Sequence, residues 1–371
     1  MHAALALLVA FSLEATASSS KLGPYVLNPI DDSALLLLDA CPRVAKWQIP
    51  DPGVASAIAD FRTGCPDSQV VLQVTLSAVS RFSLAETPDL KASDVWGSMN
   101  ALLSEYSVFP ANVDWLEGPY ELYQLPDWGT DTEAADWVAE FWSALADRMN
   151  AAGWRPLIGS IPATYSSTAL PFTENPFKKV ADAMRGKDYS WGWSYHAYAT
   201  TTDASDASDS VLHYRTIRDE CDLAGEPILL SEAGLRNSIG KGWQQMGIPA
   251  ADYLAWLEWL DGRAQEDSEV VGAIIFQIGD HEARGSYELG PLASDLADHL
   301  VAAAAPDAGP GSEWDGGGST GSGGFGNRVP EGYYQPLPRS GCGCSQIGGE
   351  AMVICFAFFL RGTRKRDAAS A

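Results

Sequence analysis

The sequence predicts an α/β fold, a (β/α)8 TIM barrel. Three observations lead there. Eight short apolar runs recur along the chain, helical stretches separate them, and the portion that carries them is about 280 residues long, the size of one such barrel. A doubly wound open sheet also alternates strands and helices. The barrel is preferred because the eighth unit completes the tally and a helix follows it.

The runs, in order, are GPYVLNP (23–29), RVAKWQI (43–49), QVVLQVT (69–75), NVDWLEG (112–118), RPLIGSI (155–161), SWGWSYHAY (190–198), PILLSEAG (227–234) and GAIIFQIGD (272–280). Most are apolar without strict alternation, as expected of strands buried on both faces. Between them, Thr130-x-x-Glu133 has the form of a capping box. It opens a helix with Trp137, Phe141, Leu145 and Met149 on one face, and Gly153 closes it. A further helix is predicted over 252–261, with Leu254, Leu257 and Trp259 among polar residues, and the last over 292–303.

The two ends read differently. MHAALALLVAFSLEATASSS has an apolar run from Ala3 to Leu13 and then the small-x-small pattern Ala15-Thr16-Ala17. This is the pattern of a secretory signal over 1–17, with only His2 where a charged region belongs; a mature N-terminal helix is the alternative. The barrel domain is assigned to 21–304. From 305 to 340 the composition falls to Gly, Ser, Pro and Asp, a flexible, disordered linker. In 341–371 come Gly341-Cys342-Gly343-Cys344, a short hydrophobic segment from Ala351 to Leu360, and then Arg361, Arg364, Lys365 and Arg366. That run is about half the roughly twenty residues a spanning helix needs.

The formal charge is −24. An acidic surface repels nucleic acid and anionic lipid and suits a neutral substrate. Of the domain cysteines, Cys41 and Cys65 each precede a predicted strand and could meet on one rim; whether they bond stays open. Cys221 shares a helical apolar face with Val211, Tyr214 and Ile217 and reads as buried and inert. None of these three has metal-ligand spacing. The Asp203, Asp206, Asp209 repeat lacks the calcium-loop pattern, so no metal is expected. His213 and His299 fall in predicted helices and are given no role.

In a barrel, functional groups gather where the strands' C-terminal ends emerge. Those ends carry Asn28, with Asp31 and Asp32 beyond it; Glu117 and Glu121; His196 and Tyr198; Glu232; and Gln277 with Asp280. A lone carboxylate such as Glu232 at the end of an apolar strand is costly unless paired or wet. Two carboxylates facing each other across a cleft can cut a glycosidic bond, one protonating the leaving oxygen and the other attacking the sugar carbon. The fourth and seventh strands stand opposite one another in such a barrel. The thirteen tryptophans add stacking surface for sugar rings, with Trp47, Trp128, Trp191, Trp193 and Trp243 near the outer ends of predicted strands.

Leu116-Glu117-Gly118-Pro119-Tyr120-Glu121 and Ser231-Glu232-Ala233-Gly234 resemble segments of the clan A glycoside hydrolases, retaining enzymes on this barrel. The resemblance spans about residues 22 to 300, through short motifs. It implies Glu121 as acid/base, with Glu117 the competing candidate, and Glu232 as nucleophile. His196 and Tyr198 would position Glu232 and the sugar, and no cofactor is required; Glu117 and Tyr120, with Asn28 and Gln277 from the strand ends and Trp193 from the aromatic content, are further candidate substrate contacts. Tyr120 departs from the family, which has Asn there, so another donor such as Gln124 or His196 is needed, or activity is weak or absent. The expected function is a retaining glycosidase acting on a polysaccharide or oligosaccharide. The alternatives are a non-catalytic carbohydrate-binding surface protein on the same barrel and a structural surface module.

The last thirty or so residues resemble the MYXO-CTERM sorting signal of myxobacterial surface proteins. This implies export, cleavage by a sorting protease near the Gly-Cys motif, and attachment at the cell surface, on the outer membrane, through a Cys.

Overall fold

The computed structural model describes residues 19–28, 30–76, 82–118, 125–126, 131–162, 176–203, 210–237, 239–279 and 284–304. Eight parallel strands close into a barrel in sequence order: β1 (Leu22–Val26), β2 (Val44–Ile49), β3 (Gln69–Val74), β4 (Trp115–Glu117), β5 (Pro156–Pro162), β6 (Gly192–Ala199), β7 (Ile228–Leu235) and β8 (Val270–Ile278), with β8 pairing β1. Eight α-helices are found among the described residues: α1 (Asp32–Asp39), α2 (Val54–Gly64), α3 (Pro88–Glu105), α4 (Thr132–Ala151), α5 (Pro176–Arg185), α6 (His213–Glu220), α7 (Ala250–Gln265) and α8 (Ala293–Ala304). The expected fold is thus the observed one. Residues 1–17, 305–340 and 341–371, expected from the sequence to be a signal, a linker and a sorting segment, lie outside the described residues, as do Tyr120 and Glu121 after β4.

Alternation along each strand divides the core into two. Ala45, Trp47 and Ile49 of β2, Val70, Leu72 and Val74 of β3, and Trp193, Tyr195 and Ala197 of β6 belong to the larger apolar cluster shared with the helices. Val44, Val71, Trp115, Leu157, Leu229 and Ile274 form a smaller cluster that fills the barrel interior. Size matching closes the N-terminal end of that interior. A Cβ on Gly192 would lie 2.6 Å from the Trp115 ring, and one on Gly23 would overlap the Val44 carbonyl. Trp115 in turn donates from Nε1 to Gln69 Oε1 at 2.8 Å and carries the Arg155 guanidinium 3.6 Å over its ring.

Local signals account for the helix ends. Asp31 caps α1 by accepting from Ala34 N at 2.9 Å. The cap of α4 is Asp131, which accepts from Glu133 and Ala134 N, one residue later than the Thr130 capping box predicted. A carboxylate is the stronger partner for the positive end of a helix, which explains the preference. Trp137, Phe141, Leu145 and Met149 are buried as expected, and Gly153 takes φ +86° just past the end. In α7, Leu257 is buried as expected. Leu254 and Trp259 are only partly covered, and Tyr253, Trp256, Leu260 and Ala264 make the inner face instead.

Cys41 and Cys65 are bonded. The bridge joins the chain just after α1 to the residue that follows α2, on the rim where β2 and β3 begin. Cys221 is buried, and burial pushes its thiol up to about 12, as befits an inert core residue. His213 and His299 lie on α6 and α8. His299 has a role all the same: its Nε2 is 2.9 Å from Asp261 Oδ2, and Asp261 Oδ1 accepts from Lys21 N, so α7 holds both the last helix and the start of β1. Among the described residues no helix is long and apolar enough to cross a membrane, and no group of three or more potential ligands could hold a metal ion.

Candidate active site at the C-terminal mouth of the barrel

Glu232 reaches the mouth because of an irregularity in β7. Tyr195 of β6 pairs with Leu230, but His196 pairs with Glu232, so β7 carries one residue more than its partner at this point. Leu229 is inside and Leu230 outside. The extra residue lets Ser231 and Glu232, neighbours in sequence, both serve the interior side. Re-aiming of this kind is what a β-bulge does. The Glu232 side chain is 12% exposed; that of Glu117 is fully buried.

Around Glu232 three groups converge. The Tyr198 hydroxyl donates to Oε2 at 2.9 Å, His196 Nδ1 lies 3.8 Å from Oε2, and Lys46 Nζ lies 3.8 Å from Oε1. Burial, and after it the Glu232 charge, hold the Tyr198 phenol well above its ordinary range, so it remains a donor. The Tyr198 ring meets Phe276 and Tyr287 edge to face, and Phe276 meets Tyr25 likewise. These rings line β1, β6, β8 and the short turn after β8.

Beneath Glu232 lies a sealed polar layer. Lys46, on the inward face of β2, is fully buried, and its Nζ sits 2.6 Å from Glu117 Oε2. It also donates to the Ser231 carbonyl at 3.2 Å and rests 4.4 Å from the centre of the Tyr25 ring. Ser194 donates to Glu117 Oε1 at 2.6 Å, and Ser231 Oγ stands 2.6 Å from Ser194 Oγ. With its own proton given to Glu117, Ser194 accepts from Ser231. His196 Nε2 is 4.0 Å from Glu117 Oε1. A buried cation of this kind is tolerated only when paired, and Glu117 supplies the pair. Lys46 lies between two carboxylates, so the facing oxygens of Glu117 and Glu232 are no further apart than its two contact distances combined.

The sequence-predicted residues therefore divide. Glu117, His196, Tyr198 and Glu232 come together. Glu117 is held in the floor, with one oxygen on Lys46 and the other on Ser194, which does not suit it to reach a substrate oxygen. Asn28 is on the rim but turned to the segment after β2: its amide donates to Pro52 O at 2.7 Å, and its main-chain N–H reaches Asp51 at 3.4 Å. Gln277 is fully buried, and its Nε2 donates to Arg284 O at 3.2 Å.

Trp193 is not at the mouth. It points from β6 toward the helices, against Phe177 of α5 and Trp191, because alternation puts Ser194 and His196 inside and Trp193 outside. Trp47 likewise packs on Phe61, and Trp243 stacks on Tyr253. These three and Trp191 are buried, so none presents a face to sugar. Trp128 lies outside the described residues, as do Gln124, Asp280 and residues 204–209, which include Asp206 and Asp209.

Lys46, Tyr25, Gln48, Gln73, Ser194 and Ser231 were not anticipated. The sequence did hold a signal for some of them. In VAKWQI the polar residues fall at alternate positions, Lys46 and Gln48, on the same face as Val44, and Gln69 and Gln73 do the same in QVVLQV. Polar side chains on the inward face of a barrel strand have only one another and the two ends of the barrel to turn to: Gln69 meets the Trp115 indole at the N-terminal end, and Gln48 and Gln73 meet Tyr25 nearer the mouth.

No family model matches the chain, and no curated protein matches it. Solved structures similar to it include a GH5-4 broad specificity endoglucanase from Clostridium longisporum, at 13% identity over 77% of this chain and 96% of that one, with a TM-score of 0.48. A GH128 endo-beta-1,3-glucanase from Sorangium cellulosum has 14% identity over 75% and 97%, with a TM-score of 0.44. A beta-mannanase from Thermomonospora fusca has 14% identity over 72% and 81%, with a TM-score of 0.42. The likeness to these glycoside hydrolases is one of fold alone.

Proposed function

We propose that the protein is a retaining glycosidase that hydrolyses O-glycosidic bonds of a polysaccharide by double displacement. The observation that carries this reading is Glu232 itself. A bulge lifts it to the barrel mouth, where it is partly exposed and flanked by the Tyr198 hydroxyl, His196 and the Lys46 ammonium. A carboxylate so placed is a nucleophile in waiting. In the first step Glu232 attacks the anomeric carbon and the glycosidic bond breaks. The departing oxygen takes a proton from Glu121, and a glycosyl ester remains on Glu232. In the second step Glu121 takes a proton from water, whose oxygen displaces Glu232. Glu117, committed to Lys46 and Ser194, is left out of both steps. The role of Glu121 is assigned from its place in the sequence.

A non-catalytic carbohydrate-binding protein is the second reading. It is favoured by Tyr120 in place of the family's Asn and by the commitment of Glu117 to the floor. The end segments and the Cys41–Cys65 bridge fit an exported, surface-anchored protein, since disulfides persist outside the reducing cytosol.

The test is a panel of glucans, xylan and mannan with product analysis. Turnover by the wild type, its loss in Glu232→Ala, and partial return with azide to give an inverted glycosyl azide are expected. Undiminished turnover in Glu232→Ala would end the assignment. Binding without release of reducing ends from any polymer would favour the second reading.

A further inference from the structure

Two glutamines the mechanism does not use stand beside the buried polar floor. Gln48 of β2 and Gln73 of β3 are paired across the sheet, and both are inward-facing residues near the C-terminal ends of their strands. Both are partly exposed although they point into a barrel. Because they stand one residue before the C-terminal ends of β2 and β3, the mouth is the route by which they meet solvent. Gln73 also pairs with Glu117, so the two amides adjoin the Lys46–Glu117 layer.

One buried hydroxyl holds both. Tyr25 Oη is 2.9 Å from Gln48 Oε1 and 2.5 Å from Gln73 Oε1. A phenol has one proton, so it can donate to only one amide oxygen. The other amide satisfies the contact by turning over, so that its N–H donates to the phenol oxygen; oxygen and nitrogen of an amide are interchangeable in shape. Tyr25 keeps its proton at any working pH, because burial and then the Glu232 charge push it well above the ordinary phenol range. Sharing one phenol proton also sets the outer ends of the two side chains. The amide that accepts from Tyr25 turns its NH2 to the mouth. The amide that donates to Tyr25 turns its C=O there. One free donor and one free acceptor then lie side by side.

We propose that Gln48 and Gln73, set by Tyr25, form a clamp for the hydroxyls of a neutral sugar unit beside Glu232. A sugar hydroxyl is itself one donor and one acceptor, so it matches the pair. A carboxylate does not match, because it would face the outward C=O. The clamp supplies hydroxyl recognition in a chain that has Tyr120 where the resembled family has Asn. The proposal rests on the carbohydrate reading of this mouth, but not on hydrolysis.

Affinity electrophoresis tests it, in the Glu232→Ala background so that turnover does not intervene. Native gels would contain laminarin, hydroxyethylcellulose or galactomannan, with polygalacturonate as the anionic comparison. Retardation by at least one neutral polymer and not by polygalacturonate is expected. Adding Gln48→Met or Gln73→Met, which keep volume and lose the amide, should each weaken retention about three- to tenfold with the thermal midpoint little changed. Tyr25→Phe, which keeps both amides but uncouples them, should weaken it as well. Retention unaltered by both glutamine replacements, no retention by any neutral polymer, or stronger retention by polygalacturonate would each overturn the clamp. Hydrolysis is judged separately, by reducing ends from wild type. Glutamine-sensitive retention with no turnover keeps the clamp and removes the glycosidase; turnover with retention indifferent to the glutamines does the reverse.

Discussion

Lys46 Nζ lies 2.6 Å from Glu117 Oε2, and neither side chain has any exposed surface. The pair joins β2 to β4 inside the barrel, directly under the carboxylate of Glu232. It fixes which glutamate is structural and which faces the mouth.

Breaking the pair from one side should be severe. Lys46→Met leaves Glu117 buried without its cation, at a cost of about 3–5 kcal/mol. Adding Glu117→Leu should recover much of that loss, since an apolar pair of similar volume avoids the desolvation of two ions. Urea unfolding of the four members of the cycle measures the coupling. Losses that simply add would mean the ion pair contributes nothing specific.

Tyr198→Phe removes the hydroxyl that donates to Glu232 and keeps the ring packed on Phe276 and Tyr287. A hydrogen bond to a charged group is worth about 1.5–3 kcal/mol, so kcat/KM on the polymer selected by the panel should fall roughly ten- to hundredfold. Stability should change little. Steady-state kinetics beside a thermal melt separates the two effects.

The contact between α7 and α8 should make stability depend on pH. The hydrogen bond to Asp261 raises the His299 pKa, against an opposing push from burial. Burial alone would raise Asp261, but hydrogen bonds from His299, the Lys21 main chain and others outweigh it and hold it low. The His299 contribution is complete below about pH 6.5 and is lost as pH rises through the higher folded-state value. The Asp261 contribution is complete above about pH 4 and is lost as pH falls through the lower folded-state value. Both are therefore present between roughly pH 4 and 6.5. The stability advantage of wild type over His299→Gln should shrink as pH rises from 6.5 to 9; an advantage that stays constant would refute the linkage.

The Cys41–Cys65 bridge closes a loop with a sequence separation of 24. On the loop-entropy account, replacing both cysteines with Ser should cost about 3 kcal/mol. The unfolding midpoint should fall, and reducing agent should lower the wild type to the same level and leave the double variant unaffected.

Much of the barrel was legible because strand and helix periods are local properties. Eight apolar runs marked eight strands, and Trp137, Phe141, Leu145 and Met149 marked the buried face of α4. Glu117, His196, Tyr198 and Glu232 were legible as strand-end residues, since a barrel gathers those ends at one mouth. The tryptophans were misjudged because their direction depends on alternation. A shift of one position turns a side chain from the mouth to the helices, as Trp193 and Ser194 illustrate.

What the sequence determined by itself was therefore the order of elements, the barrel, and four of the polar residues that meet at its mouth, Glu117, His196, Tyr198 and Glu232. The tertiary structure alone decided how those residues divide the work. The bulge in β7 arises from register against β6, a relation between segments far apart in the chain, and it brings Glu232 to the mouth. Closure of the barrel brings Lys46 of β2 between Glu117 of β4 and Glu232 of β7, and the low-dielectric interior makes that pairing obligatory for a buried cation. Which carboxylate is locked and which is available follows from that distance and burial, and neither is written in the order of the residues.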